Sequence, residues 1–244
     1  MQLNNAVVLV TGGAHRVGKA ICLALAGEKA QVAFTYRASG EAARQTRQEL
    51  EALGVQALAL PCDQSDPTQV EPAIQRVLEQ FGRLDGLVNS ASIMHEAPFL
   101  ETTVQDWDAT INTNLRGPFL FTQSAARWML AHGGGAIVNI IDESAVRPTR
   151  HFIHHSASKA GLWMLTRSTA LALAPSVRVN AVLPGPVLIP QGWEESRWLR
   201  LTDSTPLQRL GTPEDASRAV IYLLKEDFIT GQVIVVDGGR TLRG

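Results

Sequence analysis

The chain has 244 residues, a formal net charge of −1 and only two cysteines. That length can bury one substantial core, and the near-neutral charge argues against nucleic acid or an anionic membrane surface as a partner. No apolar run approaches the ~20 residues of a membrane span, and the start lacks a basic region and a long apolar core, so a cytoplasmic protein is expected. No repeat or low-complexity linker divides the sequence, which predicts one domain over 1–244.

Residues 6–11 form a β-branched run and 17–30 an amphipathic helix, with Thr11-Gly12-Gly13-Ala14-His15-Arg16-Val17-Gly18 between them. Strand, glycine-containing turn and helix start make a phosphate cradle, because small residues admit the backbone and a helix amino end favours anions. Arg16 stands where a dinucleotide fingerprint carries its middle glycine. Gly12-Gly13 alone could be only a tight turn; the flanking strand and helix favour a cofactor.

The second strand, 31–36, ends in Tyr36-Arg37-Ala38-Ser39. An acidic residue here would hold the ribose hydroxyls of NAD, whereas Arg37, with Ser39 beside it, suits a 2′-phosphate and so NADPH. The alternative is a solvated loop arginine. A surface helix over 41–53 follows, then a third strand over 56–60 that leaves Asp63 at its carboxyl end. A helix over 67–81 stops at Gly82, and a fourth strand, 84–89, runs into Asn89-Ser90-Ala91-Ser92. Small residues there let the backbone lie against a flat ligand.

One long helix is expected from 103 to 130, with Asn114 facing the active edge, before Gly133-Gly134-Gly135. The apolar run 136–141 reads as a buried strand and 160–173 as a helix. Asp142 then sits at a strand's carboxyl end, with His155 and Lys159 one helical turn apart on a common face. Cys22 and Cys62, in a helix and just after a strand, suit reduced, buried thiols. A sixth strand, 177–182, opens into Pro184-Gly185-Pro186-Val187. The segment 189–205, with Trp193 and Trp198, reads as a lid, or else as a loop whose tryptophans pack on the protein's own surface. A helix over 214–224 and a strand over 233–236 precede Asp237-Gly238-Gly239. Strands alternating with helices at this spacing mean parallel βαβ units, an α/β fold.

Thr11-Gly12…Gly18, Asp63, Asn89-Ser90-Ala91, Asn114, the Ser-Ala-Ser-Lys-Ala of 156–160, Pro184-Gly185 and Asp237-Gly238-Gly239 together resemble the short-chain dehydrogenase/reductase family over essentially the whole chain. The resemblance implies a Rossmann-type, doubly wound, seven-stranded parallel sheet with helices on both faces, and a homotetramer or dimer. It implies a cofactor site at Gly12, His15, Arg16, Val17, Arg37, Ser39 and Asp63, continued by Asn89, Ser90, Ala91, Lys159, Pro184, Gly185 and Val187. Within the family the sequence is most similar to pteridine and dihydromonapterin reductases. Arg16 replaces the fingerprint glycine, Asp142 stands where most members carry the catalytic serine, and the close is Asp237-Gly238-Gly239-Arg240-Thr241-Leu242. By that likeness Arg16 touches pyrophosphate and pterin, Ser92 lies beside the pterin, Lys159 holds the nicotinamide ribose and Asn114 positions the proton relay. Met94 occupies the place of an aromatic that stacks on the pterin in the trypanosomatid enzymes, and Trp193 of the lid completes the expected substrate contacts.

Members of the family use Tyr-x-x-x-Lys, and here the residue four before Lys159 is His155. Neutral imidazole is a very weak acid, so His155 would act as imidazolium, a charge that Lys159 opposes and Asp142 favours. The catalytic set is therefore Asn114, Asp142, His155 and Lys159. A metal on His151, His154, His155 and Asp142 is the competing reading; no HExxH or cysteine pair supports it, and none is expected. The function implied is NADPH-dependent hydride transfer to a pteridine or related conjugated heterocycle. The alternatives are a ketone or 3-oxoacyl reductase and an NADPH-binding protein with weak chemistry.

Overall fold

Along the first strand, Val8 and Val10 pack into one apolar cluster and Val7 and Leu9 into another, as the period of two in a strand requires. Both faces of the sheet are therefore covered. The computed structural model describes residues 1–189 and 192–243. Its strands are β1 (Val7–Val10), β2 (Gln31–Tyr36), β3 (Ala57–Pro61), β4 (Gly86–Asn89), β5 (Gly135–Ile140), β6 (Val177–Pro184) and β7 (Val233–Val236). They form one seven-stranded sheet in the order β3-β2-β1-β4-β5-β6-β7, every pair parallel. Such a sheet, covered on both faces, explains why β1 and β4 are buried throughout, with Asn89 at the end of β4 their only polar residue.

The helices are α1 (Arg16–Gly27), α2 (Gly40–Ala52), α3 (Pro67–Phe81), α4 (Val104–Ile111), α5 (Gly117–Ala131), α6 (Ile153–Leu173), α7 (Glu195–Leu199) and α8 (Pro213–Lys225). Residues of α1, α2 and α8 build the cluster on one face, and residues of α3, α5 and α6 the cluster on the other. The fold is the doubly wound α/β domain that the alternation of elements predicts. Strand order reverses between β1 and β4, and a crevice opens there at the carboxyl ends of the strands.

Three boundaries differ from expectation, and each bears on the site. The expected continuous helix over 103–130 is interrupted by a π turn, Asn112–Arg116. Pro118 explains it: proline lacks the N–H of the helical ladder, and its ring crowds the carbonyl four residues back, that of Asn114. The sixth helix starts at Ile153 rather than at 160, so His155 and Lys159 both stand on it. In the segment 189–205, residues Glu195–Leu199 form a short helix, while Pro190 and Gln191 lie outside the described residues. No helix among the described residues is long and apolar enough to cross a membrane. Cys22 and Cys62 are buried free thiols.

Candidate active site

The crevice is a cleft of about 460 Å³. At its β1–α1 corner the main chain turns sharply. Gly12 has φ of 70°, and a Cβ on Gly18 would stand 2.2 Å from the Gly12 carbonyl oxygen, so only glycine lets α1 start this close to the turn. Thr11 Oγ1 accepts from the N–H groups of Ser90 and Ala91, both at 3.0 Å, which locks the β1 turn to the end of β4. His15, the residue before α1, makes no side-chain capping bond, so the amino end of the helix faces the cleft without a side-chain partner there. This open helix end and glycine-limited turn fit the pyrophosphate of a dinucleotide.

Gly12, His15, Arg16, Val17, Arg37, Ser39 and Asp63 line the cleft, followed by Ser90, Ala91, Ser92 and Met94. Asp142, His155 and Lys159 line it from the other side, with Pro184, Gly185 and Val187. Arg16 takes a left-handed φ of 57° and reaches across, donating to the carbonyls of Ile189 (3.1 Å) and Leu188 (3.4 Å). Arg37 is exposed and makes no ion pair among the described residues.

Three expected contact residues do not line the cleft. Asn89 turns into the sheet, donating to Asn139 Oδ1 (2.8 Å) and Thr122 Oγ1 (3.2 Å), because its neighbour on β5 is itself a buried asparagine. Asn114 lies behind the wall, fully buried in the π turn. Trp193 is drawn to the protein surface by Arg197, whose guanidinium stacks 3.6 Å from its ring while pairing with Glu96 at 3.3 Å. Of the two readings of these tryptophans, packing on the protein's own surface describes Trp193.

Sequence reasoning missed Gln64 and Ile93. Buried Gln64 donates to the carbonyls of Thr113 (2.7 Å) and Ala91 (3.1 Å), joining the π turn to the loop after β4. Its place after Asp63 at the end of β3 was the available signal. Cys62 also lines the cleft, but burial, then Asp63 and Asp66, push its thiol up to about 11. It is neutral at pH 7 and no nucleophile.

The acid corner is built by side chains. His155 Nε2 lies 2.6 Å from Asp142 Oδ2, and its Nδ1 lies 3.0 Å from the Ile93 carbonyl. Asn114 clasps Ile93, accepting from its N–H at 2.9 Å and donating to its carbonyl at 2.9 Å. The second hydrogen of that amide goes to Ser158 Oγ at 3.2 Å, so none remains for His155 Nδ1, 3.2 Å away. Assigned from this network, Nδ1 donates to Ile93 and Nε2 to Asp142, which satisfies both N–H groups of an imidazolium.

Burial alone would raise the Asp142 carboxyl. The hydrogen bond and charge of His155, then Lys159 and Ser144, outweigh it and hold the group well below the usual carboxylate range. Lys159 is buried and donates to the Ile140 carbonyl at 3.0 Å. Burial pulls its ammonium below the ordinary lysine value, and Asp142 opposes that. Among the described residues no group of three or more His, Cys, Asp or Glu could hold a metal ion.

Comparison with known proteins agrees with this geometry. A profile of the enoyl-(acyl carrier protein) reductase family matches residues 12–241. The chain is 34% identical to the L-rhamnose 1-dehydrogenase (NAD(P)(+)) of Sphingomonas sp. (strain SKA58), over 97% of this chain and 96% of that protein. It is 34% identical to the 3-oxoacyl-(acyl-carrier-protein) reductase of Thermotoga maritima, over 99% and 100%. A solved blue fluorescent protein from a metagenomic library, in complex with NADPH, is 36% identical and superposes with a TM-score of 0.92 over 98% and 99% of the two chains. The chain belongs to the short-chain dehydrogenase/reductase family, whose oxidoreductases work with NAD(P).

Proposed function

We propose that the chain is an NADPH-dependent reductase of an ordinary carbonyl, of the oxoacyl, ketone or sugar type, that draws its proton from a histidine–aspartate pair. One observation carries the reading: the 2.6 Å contact of His155 Nε2 with Asp142, one helical turn before Lys159, on the wall of a dinucleotide cleft. The oxoacyl reductase and sugar dehydrogenase among its relatives support an ordinary carbonyl over a heterocycle. Arg37 at the end of β2, with no acidic residue beside it in Tyr36-Arg37-Ala38-Ser39, supports the 2′-phosphorylated cofactor.

The nicotinamide, when bound, supplies hydride to the carbonyl carbon. Lys159, buried under the cleft wall, would hold the adjoining ribose. As negative charge develops on the carbonyl oxygen, that oxygen displaces Asp142 Oδ2 as the acceptor of the His155 Nε2–H, takes the proton and leaves the ring neutral. Asp142 stays ionised throughout, stabilises the imidazolium beforehand and keeps Nε2 turned into the cleft. The Ile93 carbonyl retains the Nδ1 proton, so the ring loses one proton only and regains it from solvent.

A pteridine substrate is the second reading. It is favoured by Arg16, which crosses the cleft to the Leu188 and Ile189 carbonyls from the position where the likeness to pteridine reductases assigns a pterin contact. Steady-state NADPH oxidation with a 3-oxoacyl thioester, a keto sugar and a dihydropteridine decides between them. Turnover of the pteridine alone would overturn the carbonyl reading. Turnover of none, with NADPH still bound, would mean a binding protein. We also propose a homo-oligomer in a reducing, cytoplasmic compartment. Support comes from exposed Val104, Met164 and Leu171 on α4 and α6 and from the two free thiols. A monomeric mass by light scattering would contradict the assembly.

A further inference from the structure

The closing turn, 237–242, takes no part in the chemistry above, yet it is built with care. Asp237 accepts from the backbone of Gly239 (2.8 Å) and Thr241 (2.6 Å), and Gly238 and Gly239 take left-handed φ angles of 64° and 85°. The turn is preformed, and it sends Arg240 inward until its side chain is only 14% exposed. Arg240 Nε donates to Glu143 Oε2 at 2.7 Å. Its Nη1 reaches Ser204 Oγ and, at 3.5 Å, the Leu201 carbonyl, in the stretch after the short helix Glu195–Leu199. Its own carbonyl accepts from Arg147 at 3.2 Å.

Two separate segments, the Glu143 turn and residues 201–204, therefore meet on a guanidinium supplied by a third. Glu143 is the residue after Asp142, and Asp142 Oδ1 caps the short turn Glu143–Ala145 through the Ser144 N–H at 2.9 Å. Fixing Glu143 fixes that turn, and the turn aims Asp142 Oδ2 at His155. We infer that Arg240 is a positioning residue: by holding Glu143 it sets the distance between Asp142 and His155, and it ties residues 201–204 to the same turn. This rests on the reductase reading, although the positioning itself can be observed without turnover.

Arg240→Met, Arg240→Lys and Glu143→Gln in the full chain provide the test. Three quantities are measured: the His155 Nε2–H signal by NMR with labelled histidine, the NADPH dissociation constant, and single-turnover NADPH oxidation by a 3-oxoacyl thioester. Arg240→Met and Glu143→Gln should each lose or broaden the downfield Nε2–H signal. Each should slow the single turnover roughly 10-fold or more, since small misplacements at a reacting centre are costly, and leave NADPH affinity unchanged. The double variant should be no slower than either single one, and Arg240→Lys should recover part of the rate. An unchanged signal and rate in both single variants would make Arg240 a brace of the closing turn and overturn the inference. If the wild type never turns over, the reductase reading fails, and the histidine signal still decides the positioning. Should Arg240→Met not fold, Glu143→Gln carries the same test with the closing turn intact.

Discussion

At the β1–α1 corner the cleft wall is main chain, shaped by Gly12 and Gly18 and pinned by Thr11 to the end of β4. At the β5–α6 corner the wall is side chain, with His155 held between Asp142 and the Ile93 carbonyl and Lys159 buried beneath. Backbone recognition leaves no chemical alternative, because nothing but glycine fits a 2.2 Å gap. Side-chain recognition does: any group that holds a transferable proton at the right point can serve, provided its neighbours stabilise the charge. The first corner therefore keeps the two glycines that its turn requires, Gly12 and Gly18, and departs only at Arg16, while the second replaces the usual tyrosine and serine with an ion pair.

That contrast breaks first where the backbone is touched. Gly18→Val puts a branched side chain into the Gly12 carbonyl, and NADPH binding should fall beyond detection by fluorescence titration. Retained binding would mean that the turn opens more easily than its contacts suggest. The second corner should respond differently. His155→Ala should lower the single-turnover rate by ~10²–10⁴-fold, the usual worth of a general acid, with NADPH affinity close to wild type. His155→Tyr should restore rate without restoring dependence on Asp142. A rate in His155→Ala near that of wild type would leave Asp142 or water as the proton source.

The same contrast explains what could be read from residues alone. Gly12, Gly18 and the four-residue step from His155 to Lys159 are local patterns with a geometric cause, so they were legible, as were the βαβ alternation and the strand end at Arg37. Asn89 was misplaced because its fate depends on Asn139, 50 residues on. Trp193 was misplaced because Arg197 and Glu96, 101 residues apart, decide where it goes. Ile93 left no trace at all, since it acts through a carbonyl that every residue possesses. The break at Asn114 had a local cause in Pro118, yet helix periodicity on both sides masked it.

Arg37 tests the outer end of the backbone corner, where recognition passes from main chain to an exposed charge. A charge-assisted contact with a 2′-phosphate contributes on the order of 1.5–3 kcal/mol, so Arg37→Ala should reduce the preference for NADPH over NADH by roughly 10- to 100-fold. Dissociation constants for both cofactors check it, and an unchanged ratio would remove Arg37 from the site.

The smallest expected effect separates Asp142 from Lys159 by pH. Asp142 has its carboxyl held below the unfolded value, so its contribution to stability is complete above the unfolded carboxylate range, near pH ~4. That contribution is lost as pH falls through the folded value. Asp142→Asn removes the titrating group, so the difference in stability between wild type and variant should shrink on acidification below pH ~4, by at most about 1.4 kcal/mol per pH unit. Lys159 moves in the opposite limb. Its ammonium is depressed by burial and supported by Asp142, so the variant should lose the charged lysine at a lower pH than wild type does. NADPH affinity followed from pH 7 to 10 should therefore decline earlier in Asp142→Asn, while urea denaturation from pH 2.5 to 5 records the acid limb. Parallel stability curves with coincident binding curves would mean that the Asp142 charge supports neither neighbour, and the acid corner would then be held by hydrogen bonds alone.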